Sequence, residues 1–146
     1  MHRAFNRLAN KWIRKLGRRP LWDTELTKLG RELFGEKYTG TFRGNHKPTS
    51  RPVKQYFIVN TAVKGSGEHW VSVYKNGDNM YIYDSYGRHS HKLLPAFIRA
   101  NRGGGIRFID SDRDPEQAAD EVICGHLCIA WLQCVEKYGI RNALKI

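Results

Sequence analysis

Two short runs, His69–Tyr74 (HWVSVY) and Met80–Asp84 (MYIYD), flank the sequence Asn76-Gly77-Asp78. Each run is rich in β-branched and aromatic residues, and a glycine turn between two such runs is a strong hairpin signal. The spacing predicts an antiparallel pair that brings His69, at the start of one strand, beside Asp84, at the end of the other. An imidazole next to a carboxylate is a pairing with chemical uses, so this hairpin constrains function as well as fold.

The rest of the chain is read around it. Residues 3–17 are expected to form a basic amphipathic helix, with Phe5, Leu8, Trp12 and Leu16 at three- and four-residue steps and Arg7, Lys11, Arg14 and Lys15 between them. Such a helix suits a membrane surface, a nucleic acid or the flank of its own domain. Gly17 and Pro20 end it. Thr24–Phe34 reads as a second helix closed by Gly35. Residues 39–54, rich in Gly, Pro, Thr, Ser and Arg, read as loop. Gln55–Thr61 (QYFIVNT) is expected to be a buried strand. Lys92–Arg102 reads as a helix ended by Gly103-Gly104-Gly105, Ile106–Ile109 as a strand, 110–121 as an acidic loop and Val122–Tyr138 as a buried helix. Helices, a meandering sheet and a last helix make an α+β class rather than alternating βαβ units. The 146 residues suit one compact domain.

No apolar run approaches the roughly 18 residues needed to span a bilayer, and the N-terminus lacks the apolar stretch of a secretory signal. Cys124, Cys128 and Cys134 are odd in number and crowded into one segment, a poor disulfide framework. Free thiols in a reducing compartment are expected, in an intracellular or particle-enclosed protein. Charge is uneven. Residues 1–54 hold 14 Lys/Arg against 4 Asp/Glu, and residues 55–146 hold 11 against 10. A basic front points to a polyanion, most simply nucleic acid, with Arg7, Lys11, Arg14, Lys15, Arg18 and Arg19 as candidate contacts.

The chemistry centres on Cys124. It lies at or near the start of the last helix, where the positive end of the macrodipole favours a thiolate, the nucleophilic form. His69 is the residue type that serves as its base. Asp84 is placed by the hairpin to accept the imidazole N–H and fix its tautomer. Gln117, seven residues before Cys124, offers an amide donor that can join the Cys124 backbone N–H in an oxyanion hole. Each residue also has an ordinary structural explanation; their order and the hairpin make them one set. A metal site built on Cys124, His126 and Cys128 lacks a second ligand pair, and His126 faces elsewhere on a helix, so none is expected.

The segments Ile58-Val-Asn-Thr-Ala62, Gly67-Glu-His-Trp70, Tyr83-Asp-Ser-Tyr-Gly87 and Gln117 through Cys124-Gly125 resemble the adenovirus maturation peptidases and their virophage and Polinton relatives. The order His, Asp/Glu, Gln, Cys is shared more distantly with SUMO-deconjugating peptidases. The resemblance covers roughly residues 25–138. It implies a papain-like cysteine peptidase core whose central mixed or antiparallel sheet packs on the nucleophile-bearing helix. Residues 1–22 would be a basic N-terminal extension and 23–146 the peptidase domain. It implies Cys124 as nucleophile, His69 as base and then acid, Asp84 orienting His69, Gln117 in the oxyanion hole and Trp70 as a packing support. The implied activity is cleavage of viral capsid or core precursors after small Gly-containing motifs, in virions and in the cytoplasm or nucleus of infected cells. It implies no cofactor for the chemistry itself, with DNA, an activating peptide or both as stimulating cofactors.

The chain departs from that pattern in three places. Asp84 stands where the adenovirus enzyme has glutamate. Residues 103–110 hold no cysteine to tether an activating peptide, with Ile106 near the expected place. The chain also stops soon after the nucleophile helix, so the family's C-terminal portion has no counterpart in it. Two alternatives stay open: a deconjugase of ubiquitin-like modifiers, and a basic nucleic-acid-binding module without peptidase activity.

Overall fold

Residues 1–64, 69–112, 114–117 and 122–146 are described in this computed structural model. Gly67 and Glu68 of the quoted motif lie outside them, as do residues 113 and 118–121 of the expected acidic loop. The hairpin forms where the turn signal places it. Strands β3 (Trp70–Asn76) and β4 (Asn79–Tyr83) pair antiparallel from Ser72↔Tyr83 to Asn76↔Asn79, closed by Gly77-Asp78. Gly77 has φ 60°, the Gly-first arrangement that a type II′ turn requires.

Three more strands complete a five-stranded mixed sheet in sequential order. β2 (Lys54–Asn60) pairs antiparallel with β3; β1 (Tyr38–Phe42) and β5 (Arg107–Asp110) lie parallel on β2 and β4. Around it stand α1 (His2–Leu16), α2 (Asp23–Phe34), α3 (Ser90–Leu93), α4 (Pro95–Asn101), α5 (Cys124–Tyr138) and α6 (Ile140–Ala143), six α-helices among the described residues, with a short 3-10 turn at Gly35–Lys37. The class is α+β.

Alternation along the strands divides the core into two layers. Tyr56, Ile58, Tyr74 and Tyr83 turn to the face that carries α1, α2 and α5, while Phe57, Val59, Val71, Val73, Met80 and Ile82 turn to the face covered by Leu94 and Phe97 of α4 and its N-cap. Helix α5 is wrapped on all sides: ten of its fifteen residues are buried. That explains why its sequence is apolar around most of the helix. The amphipathic α1 packs its apolar face on α5. Phe5, Ala9 and Trp12 are buried, and Trp12 Nε1 donates to Gln133 Oε1 at 2.6 Å. Burying Phe5 and Trp12 stabilises by about 1.5–3 kcal/mol each.

Two expectations are corrected. Residues 39–42 are strand rather than loop. β1 is short and contains Gly40, and only its non-local pairing with β2 makes it extended. The single helix expected over Lys92–Arg102 is two helices. Pro95 has no amide hydrogen and disfavours helical geometry at the residue before it, so Leu94 adopts φ −126°, ψ 58° and α4 restarts at the proline. The last long helix starts at Cys124, two residues later than expected, and α6 follows it. No helix among the described residues is long and apolar enough to cross a membrane.

Candidate active site

The end of the β3–β4 hairpin and the start of α5 meet at one corner of the sheet. His69 immediately precedes β3 and Asp84 immediately follows β4. Both are buried, and His69 Nε2 donates to Asp84 Oδ1 at 2.6 Å. With Nε2 so engaged, Nδ1 is the imidazole nitrogen left for a second partner. The Cys124 thiol stands close enough to the His69 side chain to hydrogen-bond with it. Cys124 is the first residue of α5, half-buried at the floor of a cleft of about 1550 Å³ that His69 and Trp70 also line.

Electrostatics at this corner favour an ion pair. Burial would raise the Cys124 pKa, but the hydrogen bond to His69 and backbone groups of Trp70 and Gly125 outweigh it and hold the thiol below its ordinary value. Burial would lower the His69 pKa, but the bonds to Asp84 and Cys124 outweigh that and raise it. Burial would also raise the Asp84 pKa, and hydrogen bonds from His69 and Arg88 instead hold it down at about 2. The two other thiols behave oppositely: burial pushes Cys134 up to about 11 and Cys128 well above the usual thiol range.

Gln117 is buried at the same corner. Ser85 Oγ donates to its Oε1 at 3.1 Å, and the Glu116 backbone N–H donates to the Ser85 carbonyl at 2.7 Å. The segment carrying Gln117 is thus fastened to the residue after Asp84.

Several residues outside the four-residue set hold it. Arg88 grips Asp84 through its backbone N–H (2.9 Å) and Nε (3.0 Å), and its guanidinium lies 4.8 Å from the Tyr86 ring. That ring in turn lies 4.9 Å from His69. A strap, residues 17–22, crosses the start of α5. Trp70 Nε1 donates to the Leu21 carbonyl at 2.9 Å, and His126 Nε2 donates to the Gly17 carbonyl at 2.8 Å. Leu21 packs so closely on Gly125 that an added Cβ would lie 3.1 Å from its side chain. An alanine after Cys124 would therefore need Leu21 to give by a few tenths of an ångström. The four-residue spacing from Asp84 to Arg88 and the turn sequence Ser85-Tyr86-Gly87 were the signals available for Arg88. Nothing local in the sequence announces Leu21.

The candidate polyanion contacts divide by position. Arg7, Lys11, Arg14 and Lys15 are exposed on α1, with both lysines 5.6 Å from the Trp12 ring. Arg18 and Arg19 lie on the strap, and Arg19 forks onto Glu25 at 2.9 and 2.6 Å. His126, a member of the rejected metal set, is committed to the strap. No protein-family model matches the chain, and no curated protein matches it.

Proposed function

We propose that this protein is a cysteine endopeptidase with a papain-like core, in which Cys124 is the nucleophile and His69, Asp84 and Gln117 serve it. The carrying observation is the His69–Asp84 bond of 2.6 Å, made through Nε2, together with the hydrogen bond between His69 and the Cys124 thiol at the first turn of a buried helix. In the reaction the Cys124 thiolate attacks the carbonyl carbon of the scissile peptide. The carbonyl electron pair moves onto oxygen, where the Cys124 backbone N–H and the Gln117 amide donate to it. The oxyanion collapses, the C–N bond breaks, and the imidazolium of His69 gives its proton to the departing amine. Neutral His69 then takes a proton from water as that water attacks the thioester. A carboxylic acid leaves, and thiolate and imidazolium are restored.

The resemblance of the motifs supplies the proposed substrates: viral precursor proteins cut after small Gly-containing motifs, with nucleic acid on the exposed basic face of α1 as a stimulating partner. The pKa pattern gives a direct test. At neutral pH an electrophilic thiol probe should label Cys124 and spare Cys128 and Cys134, as located by peptide mass mapping. Cys124→Ala should abolish both labelling and cleavage of a Gly-containing precursor. Cleavage that survives Cys124→Ala ends the proposal.

A further inference from the structure

The cleft over Cys124 carries a charge that peptide hydrolysis does not by itself need. One wall is the strap with the ends of β1 and β2, and it presents Trp22, Asp23 and Arg43. The other is residues 86–95, and it presents Arg88, His89 and Lys92. Residues 55–146 are close to neutral, 11 Lys/Arg against 10 Asp/Glu. Yet the described part of that stretch lining the cleft contributes two Lys/Arg side chains, Arg88 and Lys92, with His89 beside them, and no carboxylate. Asp23 is the one acid among the described lining residues. Among the described residues, the basic lining is therefore not only an overflow of the basic N-terminal region.

The cations differ in how far they are already used. Arg19 is forked on Glu25. Arg88 is engaged by Asp84, though 47% of its side chain remains exposed. His89 Nδ1 lies 3.8 Å from Asp110. Lys92 is exposed and has no ion pair among the described residues. Among the described lining residues this leaves Lys92 without an ion pair, beside partly engaged cations and apolar stretches of wall that include Trp22, 72% exposed. That suffices for one or two carboxylates and is too little for a run of phosphates, whose binding scales with the number of cations engaged.

We propose that the cleft takes an extended peptide carrying an acidic side chain within a few residues of the cleaved bond, held by Lys92 with Arg43 and Arg88 adding to the local potential. This rests on the peptidase reading and names its substrate class. The test uses the full chain as Cys124→Ala and fluorescein-labelled peptides with a Gly-Gly centre flanked by Glu, Gln or Lys. Fluorescence anisotropy at low salt should show the Glu peptide binding about tenfold tighter than the Lys peptide, with the difference shrinking as salt is added. Lys92→Glu should reduce the difference to below threefold. Arg141→Glu makes the same charge change on an exposed residue of α6 outside the cleft, and should leave the difference within twofold of its starting value.

Equal binding of the three peptides overturns the inference. So does an equal response to Arg141→Glu, or displacement of the Glu peptide by an oligonucleotide of matched charge at the same concentration as by unlabelled Glu peptide. Turnover by the unsubstituted protein separates the two claims. Peptides bound according to charge but never cut end the peptidase reading and leave this one standing; peptides cut without regard to charge end this one alone.

Discussion

Asp84 answers to two cations at once. Its Oδ1 accepts from His69 at 2.6 Å and its Oδ2 accepts from the Arg88 backbone and Nε at 2.9 and 3.0 Å, all in a buried position. A pKa near 2 keeps it anionic wherever the thiol could ionise. Its charge is one of the forces that raise the His69 pKa. The sign of the pH dependence follows. Activity needs Cys124 as thiolate, so kcat/KM rises as pH climbs through the lowered thiol value. It needs His69 as imidazolium, so kcat/KM falls as pH climbs through the raised imidazole value. The profile should be a bell whose two limbs belong to the coupled pair. Asp84→Asn keeps the shape and removes the charge. The alkaline limb should then move to lower pH, and kcat should fall by about two to four orders of magnitude. A pH–rate series on both proteins checks it, and an unmoved alkaline limb would remove Asp84 from the mechanism.

At the scale of elements, what could be read in the sequence was local, and what could not be read needed a distant partner. The hairpin was legible because Gly77 and two alternating runs carry their own geometry, and His69 and Asp84 came with it. Cys124 near a helix start was legible because an apolar run begins at Val122, though the helix itself starts two residues later. β1 was not: four of the five residues in Tyr38–Phe42 favour strands, but Gly40 interrupts the run, Gly- and Pro-rich sequence follows it, and its parallel pairing with β2 is non-local. The break at Leu94 was legible in principle, since Pro95 stands in the middle of the expected helix. The strap was not legible at all: it is held by carbonyl acceptors at Gly17 and Leu21, and any residue type supplies a carbonyl. Its fit to α5 is nevertheless tight enough to test. Gly125→Ala should press on Leu21, costing about 1 kcal/mol of stability and about tenfold in kcat/KM by shifting the neighbouring thiol. Adding Leu21→Ala should recover most of the activity loss. A double-mutant cycle on kcat/KM measures the coupling, and simple additivity would mean the strap does not position Cys124.

For the molecule as a whole, the question is what the basic N-terminal region contributes. Its charges and its apolar face do separate things. Arg7, Lys11, Arg14 and Lys15 face outward, whereas Phe5 is fully buried in the cluster that contains Leu127, Trp131 and Tyr83 of the main sheet and α5. The Phe5 ring lies 5.8 Å from Tyr83, which directly precedes Asp84. The outer face can be altered without touching the core, since exposed substitutions cost about 0.5 kcal/mol or less. Phe5→Ala empties a site with no solvent access, and such truncations cost about 3–5 kcal/mol out of a total of about 5–15. The expected outcome in thermal unfolding is a Tm drop of about 10 °C or more for Phe5→Ala, against a change of a few degrees for Lys11→Ala. Deleting residues 1–16 should be worse than either, because it uncovers the α5 surface that Phe5, Ala9 and Trp12 bury, and the product should lose its cooperative transition. A truncated chain that melts cooperatively at the original Tm would show instead that α1 is an appendage, and that the core closes without it.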